Sequence, residues 1–174
     1  MKGIELLIFD LDGCLVHTQP DIGLAAQKTA REIAHKDLAL EDATRLIGGG
    51  ARKAMMRMLG DEQMDLLEEA VTFFVDYYAK NNCELSKVYD GVKETLDYFK
   101  GKVHLAVATA KIRAATENIL KKLGLYDYFE VIICDEDMSK MKPDPECVNL
   151  ILQKLNIAPE HAVMIGDMKT DVMA

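Results

Sequence analysis

The stretch LLIFDLDGCL, residues 6–15, sets two carboxylates, Asp10 and Asp12, two positions apart behind a run of four apolar residues. Neighbouring anions repel each other, and a buried strand has no need of them at its tip. A cation or a reaction has to make such a pair worthwhile. Further polar groups recur along the chain in comparable settings: Thr109 in ATAK, Lys142 in KMKPDP, and Asp167 with Asp171 in GDMKTD. Several carboxylates with one lysine and one hydroxyl suit a hard divalent cation together with a phosphoryl group. Mg²⁺ takes oxygen ligands and keeps several waters, so one or two carboxylates plus a substrate phosphate are enough. A lysine neutralises phosphate oxygens as a point charge. One carboxylate in such a set can attack phosphorus and carry the acyl phosphate. A second, two residues on, can protonate the departing alkoxide and then activate water.

These residues can act together only if the fold collects them. Residues 4–9 read as a buried strand of the parallel type, closed by the turn at Asp12-Gly13. KVHLAVAT, ending at Thr109, EVIICDE, and HAVMIGD, ending at Asp167, read as further strands. GVKETLDYF, IRAATENILKKLG and PECVNLILQKL read as the helices between them. Strands alternating with helices make a parallel sheet, and ligands bind at the edge where its strand C-termini emerge. The stretch 16–85 is different. DIGLAAQKTAREIAHK after Pro20, EDATRLI, ARKAMMRML and DEQMDLLEEAVTFFVDYYAKNN all read as helices, with no convincing strand. The expected fold is α/β: a Rossmann-like parallel sheet core with helices on both faces, formed by residues 1–15 and 86–174, plus an inserted all-helical unit over 16–85.

Composition sets the outer bounds. The 174 residues, 49% hydrophobic and 29% charged, suit a soluble core with a small insert. A net charge of −8 argues against nonspecific nucleic-acid binding, so an anionic substrate has to be met by local cations. Cys14, Cys83, Cys134 and Cys147 form no C-x-x-C pair and no zinc spacing, which fits reduced thiols and a cytoplasmic location. No apolar run approaches the ~20 residues of a membrane span, and the N-terminus reads as a first strand and not a signal peptide. Singly, the candidates are weak. Asp-Gly is a common turn pair, most lysines are solvated, and Asp171 could be a first-turn acid of a helix. Their joint order is what carries weight.

FDLDGCL, ATAK, KMKPDP and GDMKTD are similar, in order and spacing, to the four motifs of the haloacid dehalogenase-like phosphohydrolase superfamily, and the resemblance spans nearly the whole chain. It implies Asp10 as nucleophile and Asp12 as general acid/base. It implies a phosphate site of Thr109 and Lys142, with Leu11 and Ala110 contributing beside them. It implies Mg²⁺ held by Asp10, the backbone carbonyl of Asp12, and Asp167, with Asp171 supporting Asp167 or Lys142. The helical insert resembles the cap of this superfamily. RLIGGGARKAM and PDIGLAA are similar to phosphoglycolate phosphatase-like members, which makes Gly50 and Arg52 candidate substrate contacts and phosphoglycolate the first substrate to expect. Three positions depart from the pattern: Cys14 stands for a usual threonine, Ala110 for a common asparagine and Asp90 for a frequent proline. The expected partner is a small phosphorylated substrate, with no nucleic acid and no membrane. The competing readings are a phosphomutase on hexose phosphates and a non-catalytic phosphate- or metal-binding member. A receiver-type signalling domain fits less well, because its phosphorylated aspartate lies on a later strand and it lacks the helical insert. Related enzymes continue beyond the fourth strand, so that strand is expected at a sheet edge, in a truncated chain or one covered by another chain.

Overall fold

The computed structural model describes residues 3–174. In chain order the elements are β1 (Leu6–Phe9), β2 (Val16–His17), α1 (Gln19–Glu32), α2 (Leu40–Arg45), α3 (Ala51–Leu59), α4 (Leu67–Lys80) and β3 (Lys87–Val88). They continue with α5 (Val92–Phe99), β4 (His104–Ala108), α6 (Arg113–Lys122), β5 (Val131–Ile133), α7 (Glu146–Leu155), β6 (Ala162–Ile165) and α8 (Lys169–Met173). The chain divides into two units, Met1–His17 with Lys87–Ala174, and Thr18–Ser86.

The first unit is organised by β1. All four of its residues are buried, and it pairs in parallel with β4 on one side and β6 on the other, Ile8 standing opposite Ala106 and Met164. The sheet order is β5-β4-β1-β6, with every pairing parallel. Continuous apolar runs are what a parallel strand covered on both faces requires. Leu6, Ile8, Ala106, Ala108 and Ile133 form one face and pack with Cys147, Ile151 and Leu152 of α7. Leu7, Phe9, Leu105 and Val107 point the other way and are buried too. The crossover helices α5 and α6 bury Leu96, Ala115, Ile119 and Leu120 completely. The expected parallel α/β architecture is therefore the observed one. Strand β6 lies at the end of the sheet, next to β1.

In the second unit α1 packs against α2 and α4, and α3 against α4. Ala25, Ala26 and Ala30 of α1 and Ala54 and Ala70 of α3 and α4 are buried, small enough for close helix approach, while Met55, Met58, Leu59, Phe74 and Tyr78 fill the space between. Two details depart from the reading of the sequence. The 16–85 stretch opens with β2, which pairs antiparallel with β3 through Val16↔Val88 and His17↔Lys87. The acidic segment expected to be one long helix is a 3₁₀ turn, Asp61–Leu66, followed by α4. Gln63 leaves helical geometry there, and its amide donates to the Ala34 carbonyl at 3.2 Å. The unit's two chain ends are tied together by Asp21. Its buried carboxylate accepts the N–H groups of Glu84, Leu85 and Ser86 at 2.7–3.2 Å and the Ser86 hydroxyl at 2.5 Å. Among the described residues no helix is long and apolar enough to cross a membrane.

Candidate active site

The carboxyl edge of the sheet is built strand by strand. At the tip of β1 the Asp10 N–H donates to the Ile165 carbonyl at 2.8 Å, which carries the ladder to β6 one residue beyond the strand. The chain then folds back on itself. The N–H groups of Leu15 and Val16 donate to the Leu11 carbonyl at 3.1 and 3.0 Å, and that of Gly13 to the Val16 carbonyl at 3.0 Å. Gly13 has φ +82°, and a Cβ there would run into the Asp167 carboxylate. The glycine thus serves the turn and a close approach at once. Leu11 buries its side chain fully, so only its backbone can serve the site. Cys14 points its thiol at the Ile165 carbonyl, 3.6 Å away. Burial pushes that thiol up to about 11, with Asp10 and Asp167 adding to the effect.

At the tip of β4, Thr109 is buried, its N–H bonded to the Ile133 carbonyl at 3.0 Å, and Ala110 after it is exposed. At the tip of β6, Gly166 leads to exposed Asp167, and Asp171 returns from the first turn of α8 to accept the Met168 N–H at 2.9 Å. A Cβ on Gly166 would collide with the Asp171 carboxylate. Lys142 reaches in from the loop after β5. Its ammonium donates to Asp10 Oδ1 at 2.9 Å, the Ala108 carbonyl at 3.1 Å and Asp171 Oδ1 at 2.5 Å. The loop that carries it is fastened by Glu146, whose carboxylate accepts the N–H groups of Ser139 and Lys140 and the Ser139 hydroxyl at 2.7–3.1 Å.

Burial dominates the electrostatics. It pushes the Asp10 carboxyl up to about 6, opposed by the Lys142 ammonium and reinforced by Asp12 and Asp171. Burial also works against the charge on Lys142, but Asp10 and Asp171 outweigh it, and its pKa lies above the ordinary value. Asp10, Asp167 and Asp171 each present a carboxylate oxygen within 4.8 Å of the others. An all-oxygen, multiply anionic set of this kind fits a hard divalent cation, and the bare α-carbons of Gly13 and Gly166 leave room for the carboxylates that make it.

The structure therefore gathers Asp10, Lys142, Asp167 and Asp171 into one cluster, with Asp12 and Thr109 on the adjoining loops. It adds a residue that reading the sequence passed over. Lys111, two positions after Thr109, is buried, and its ammonium lies 3.1 Å from Asp12 Oδ2. Its only sequence signal was its place in ATAK, where a lysine after a strand reads as a solvated charge. Gly50 and Arg52 belong to the helical unit. Gly50 takes φ +90° just before α3, and Arg52 forms a two-pronged pair with Glu68 at 2.6 and 3.1 Å on an exposed surface. The preceding glycine loop is braced by Arg57, which donates to the carbonyls of Leu46 and Gly48 at 3.0 and 2.7 Å.

The haloacid dehalogenase-like hydrolase family model matches residues 7–174. The chain belongs to the haloacid dehalogenase-like hydrolases. It is 33% identical over 178 residues to a phosphoglycolate phosphatase of Colwellia psychrerythraea, covering 98% of this chain and 79% of that protein. It is 33% identical over 172 residues to one of Aquifex aeolicus, with the same coverage. Among solved structures it is similar to a predicted phosphoglycolate phosphatase from Haemophilus somnus, with a TM-score of 0.89 and 27% identity, covering 99% of this chain and 81% of that one. As a haloacid dehalogenase-like hydrolase the chain is an enzyme, and its acidic cluster lies at the sheet edge where parallel α/β proteins take their ligands.

Proposed function

We propose that this hydrolase releases phosphate from a small phosphorylated metabolite, with phosphoglycolate as the first substrate to test, through an aspartyl phosphate on Asp10. The observation that carries the proposal is the joining of Asp10 and Asp171 by one buried ammonium, Lys142, with Asp167 alongside. An anionic ester needs cations in a protein whose net charge is −8, and this arrangement supplies one next to the attacking carboxylate.

In this reading Asp10 attacks phosphorus, and the bond from phosphorus to the alkoxide breaks. The proton that the alkoxide takes comes from Asp12, whose side chain is 34% exposed and able to exchange with solvent. Asp12, now a carboxylate, accepts a proton from water as the water attacks phosphorus, which frees phosphate and restores Asp10. Thr109, Lys142 and the backbone around Leu11 and Ala110 hold the phosphoryl oxygens. Mg²⁺, held by Asp10, the Asp12 carbonyl and Asp167 with Asp171 in support, would neutralise charge on those oxygens. The helical unit is read as the cap, with Gly50 and Arg52 as substrate contacts. For Arg52 that role requires exchanging Glu68 for a substrate anion.

The test is phosphate release from a panel of phosphorylated carboxylic acids, sugar phosphates and aryl phosphates, with Mg²⁺ and with EDTA. The expected result is Mg²⁺-dependent release with the highest kcat/KM on phosphoglycolate. Conversion of a hexose 1-phosphate to its 6-phosphate without free phosphate would identify a mutase, and silence across the panel would overturn the catalytic reading.

A further inference from the structure

Burying a lysine is costly unless its charge is compensated. Lys111 has a side chain only 6% exposed, and packing alone would be served by an apolar residue of similar volume. Its backbone is fixed at both ends. Its N–H donates to Thr109 Oγ1 at 3.2 Å, and its carbonyl accepts the Asp135 N–H at 3.1 Å. The Cα from which the side chain extends is thereby tied to the tip of β4 and to the corner that follows β5. From that mount the ammonium reaches across to the loop after β1 and holds Asp12 Oδ2 at 3.1 Å. The two aspartates of the opening motif therefore have separate lysines. Lys142 holds Asp10 from the loop after β5, and Lys111 holds Asp12 from the tip of β4.

We propose that Lys111 is a positioning residue that holds Asp12 Oδ2, so that the other carboxyl oxygen, Oδ1, carries the proton in the orientation needed to serve the leaving oxygen. The inference rests on the proposed role of Asp12 in proton transfer. Asp12 is half-open and lies on a tight backbone loop, so without a partner its side chain would sample other rotamers. A fixed charged donor restricts it to one. Small misplacements of a catalytic group are costly to rate, and proton transfer from a placed acid is worth about 10²–10⁴-fold.

The test uses Lys111→Met, Lys111→Gln, Lys111→Arg and Asp12→Asn in the full chain. Each is assayed with phosphoglycolate and with substituted phenyl phosphates whose leaving groups span good to poor. Good leaving groups depart without a proton and poor ones do not. The expected result is that Lys111→Met and Lys111→Gln lower kcat about 10-fold or more on the poorest leaving groups and little on the best, steepening the dependence on leaving group as Asp12→Asn does. Lys111→Arg should recover most of the loss. A parallel loss across the whole series, or no loss, while Asp12→Asn does steepen it, would overturn the role of Lys111 and leave that of Asp12 standing. If Asp12→Asn itself left the dependence unchanged, the acid/base reading and this inference would fall together. Lys111→Gln keeps a polar donor at the buried site, so the series can be read even if the methionine variant does not fold.

Discussion

The ion pairs at the carboxyl edge of the sheet and those of the helical unit use the same kinds of charged side chain in opposite ways. In the sheet unit, Lys142, Asp10 and Asp171 have side chains 7%, 10% and 2% exposed. In the helical unit, Arg52 and Glu68 are 57% and 77% exposed, and Arg45 and Glu41 are 69% and 78% exposed. Exposed pairs are screened by water and salt and contribute little. A buried set exists only while every member is compensated, so removing one leaves a desolvated charge behind. The difference lies in where the fold puts the charges. The sheet edge concentrates several ions against the hydrophobic effect, as functional sites do.

The strongest way to break the contrast is Lys142→Met. It leaves Asp10 and Asp171 buried without their shared cation, and a loss of about 3–5 kcal/mol in unfolding free energy is expected. Denaturant melts at neutral pH would measure it, and a loss no larger than that of an exposed pair would erase the distinction. Gly13→Ala follows in size. It strains a φ of +82° and drives a methyl group into the Asp167 carboxylate, for an expected cost of about 1–3 kcal/mol. Thermal melts with and without Mg²⁺ would show in addition a smaller stabilisation by the metal than in the wild type.

Glu146 sharpens the comparison, because it is a half-buried acid that fastens the loop carrying the buried lysine. The backbone N–H of Ser139, then the Ser139 hydroxyl, hold its carboxyl below the ordinary value of 4.5. A lowered pKa contributes stability that is present above the unfolded value and lost as pH falls through the folded one. The wild type and Glu146→Gln should therefore differ at neutral pH and converge on acidification below the ordinary carboxylate range, as melts across pH would record. The smallest effect belongs to Arg52→Ala, which should leave the melting temperature unchanged within error. In the proposed substrate role it should raise KM for a carboxylated phosphate ester more than for an aryl phosphate.

Much of the sheet unit is legible in the sequence, because continuous apolar runs such as LLIF and HLAVA mark buried parallel strands, and each ends near a candidate polar residue. Asp10, Lys142, Asp167 and Asp171 could be picked out because four motifs agreed in order. Lys111 could not, since nothing local distinguishes a buried lysine from a solvated one. Its burial depends on how β4 and β5 dock. The two-residue strands β2 and β3 are too short to show alternation, and the break at Gln63 falls inside an otherwise helical composition. The clamp by Asp21 spans 63–65 residues and has no local signature at all.

The central claim is that phosphate passes through the carboxylate of Asp10. Borohydride reduces an acyl phosphate to the alcohol, so enzyme quenched with borohydride during turnover should yield a peptide with homoserine at position 10, detected by mass spectrometry. Enzyme without substrate should retain aspartate there. Turnover with Asp10 unmodified, or with the reduced residue at another carboxylate, would contradict the account.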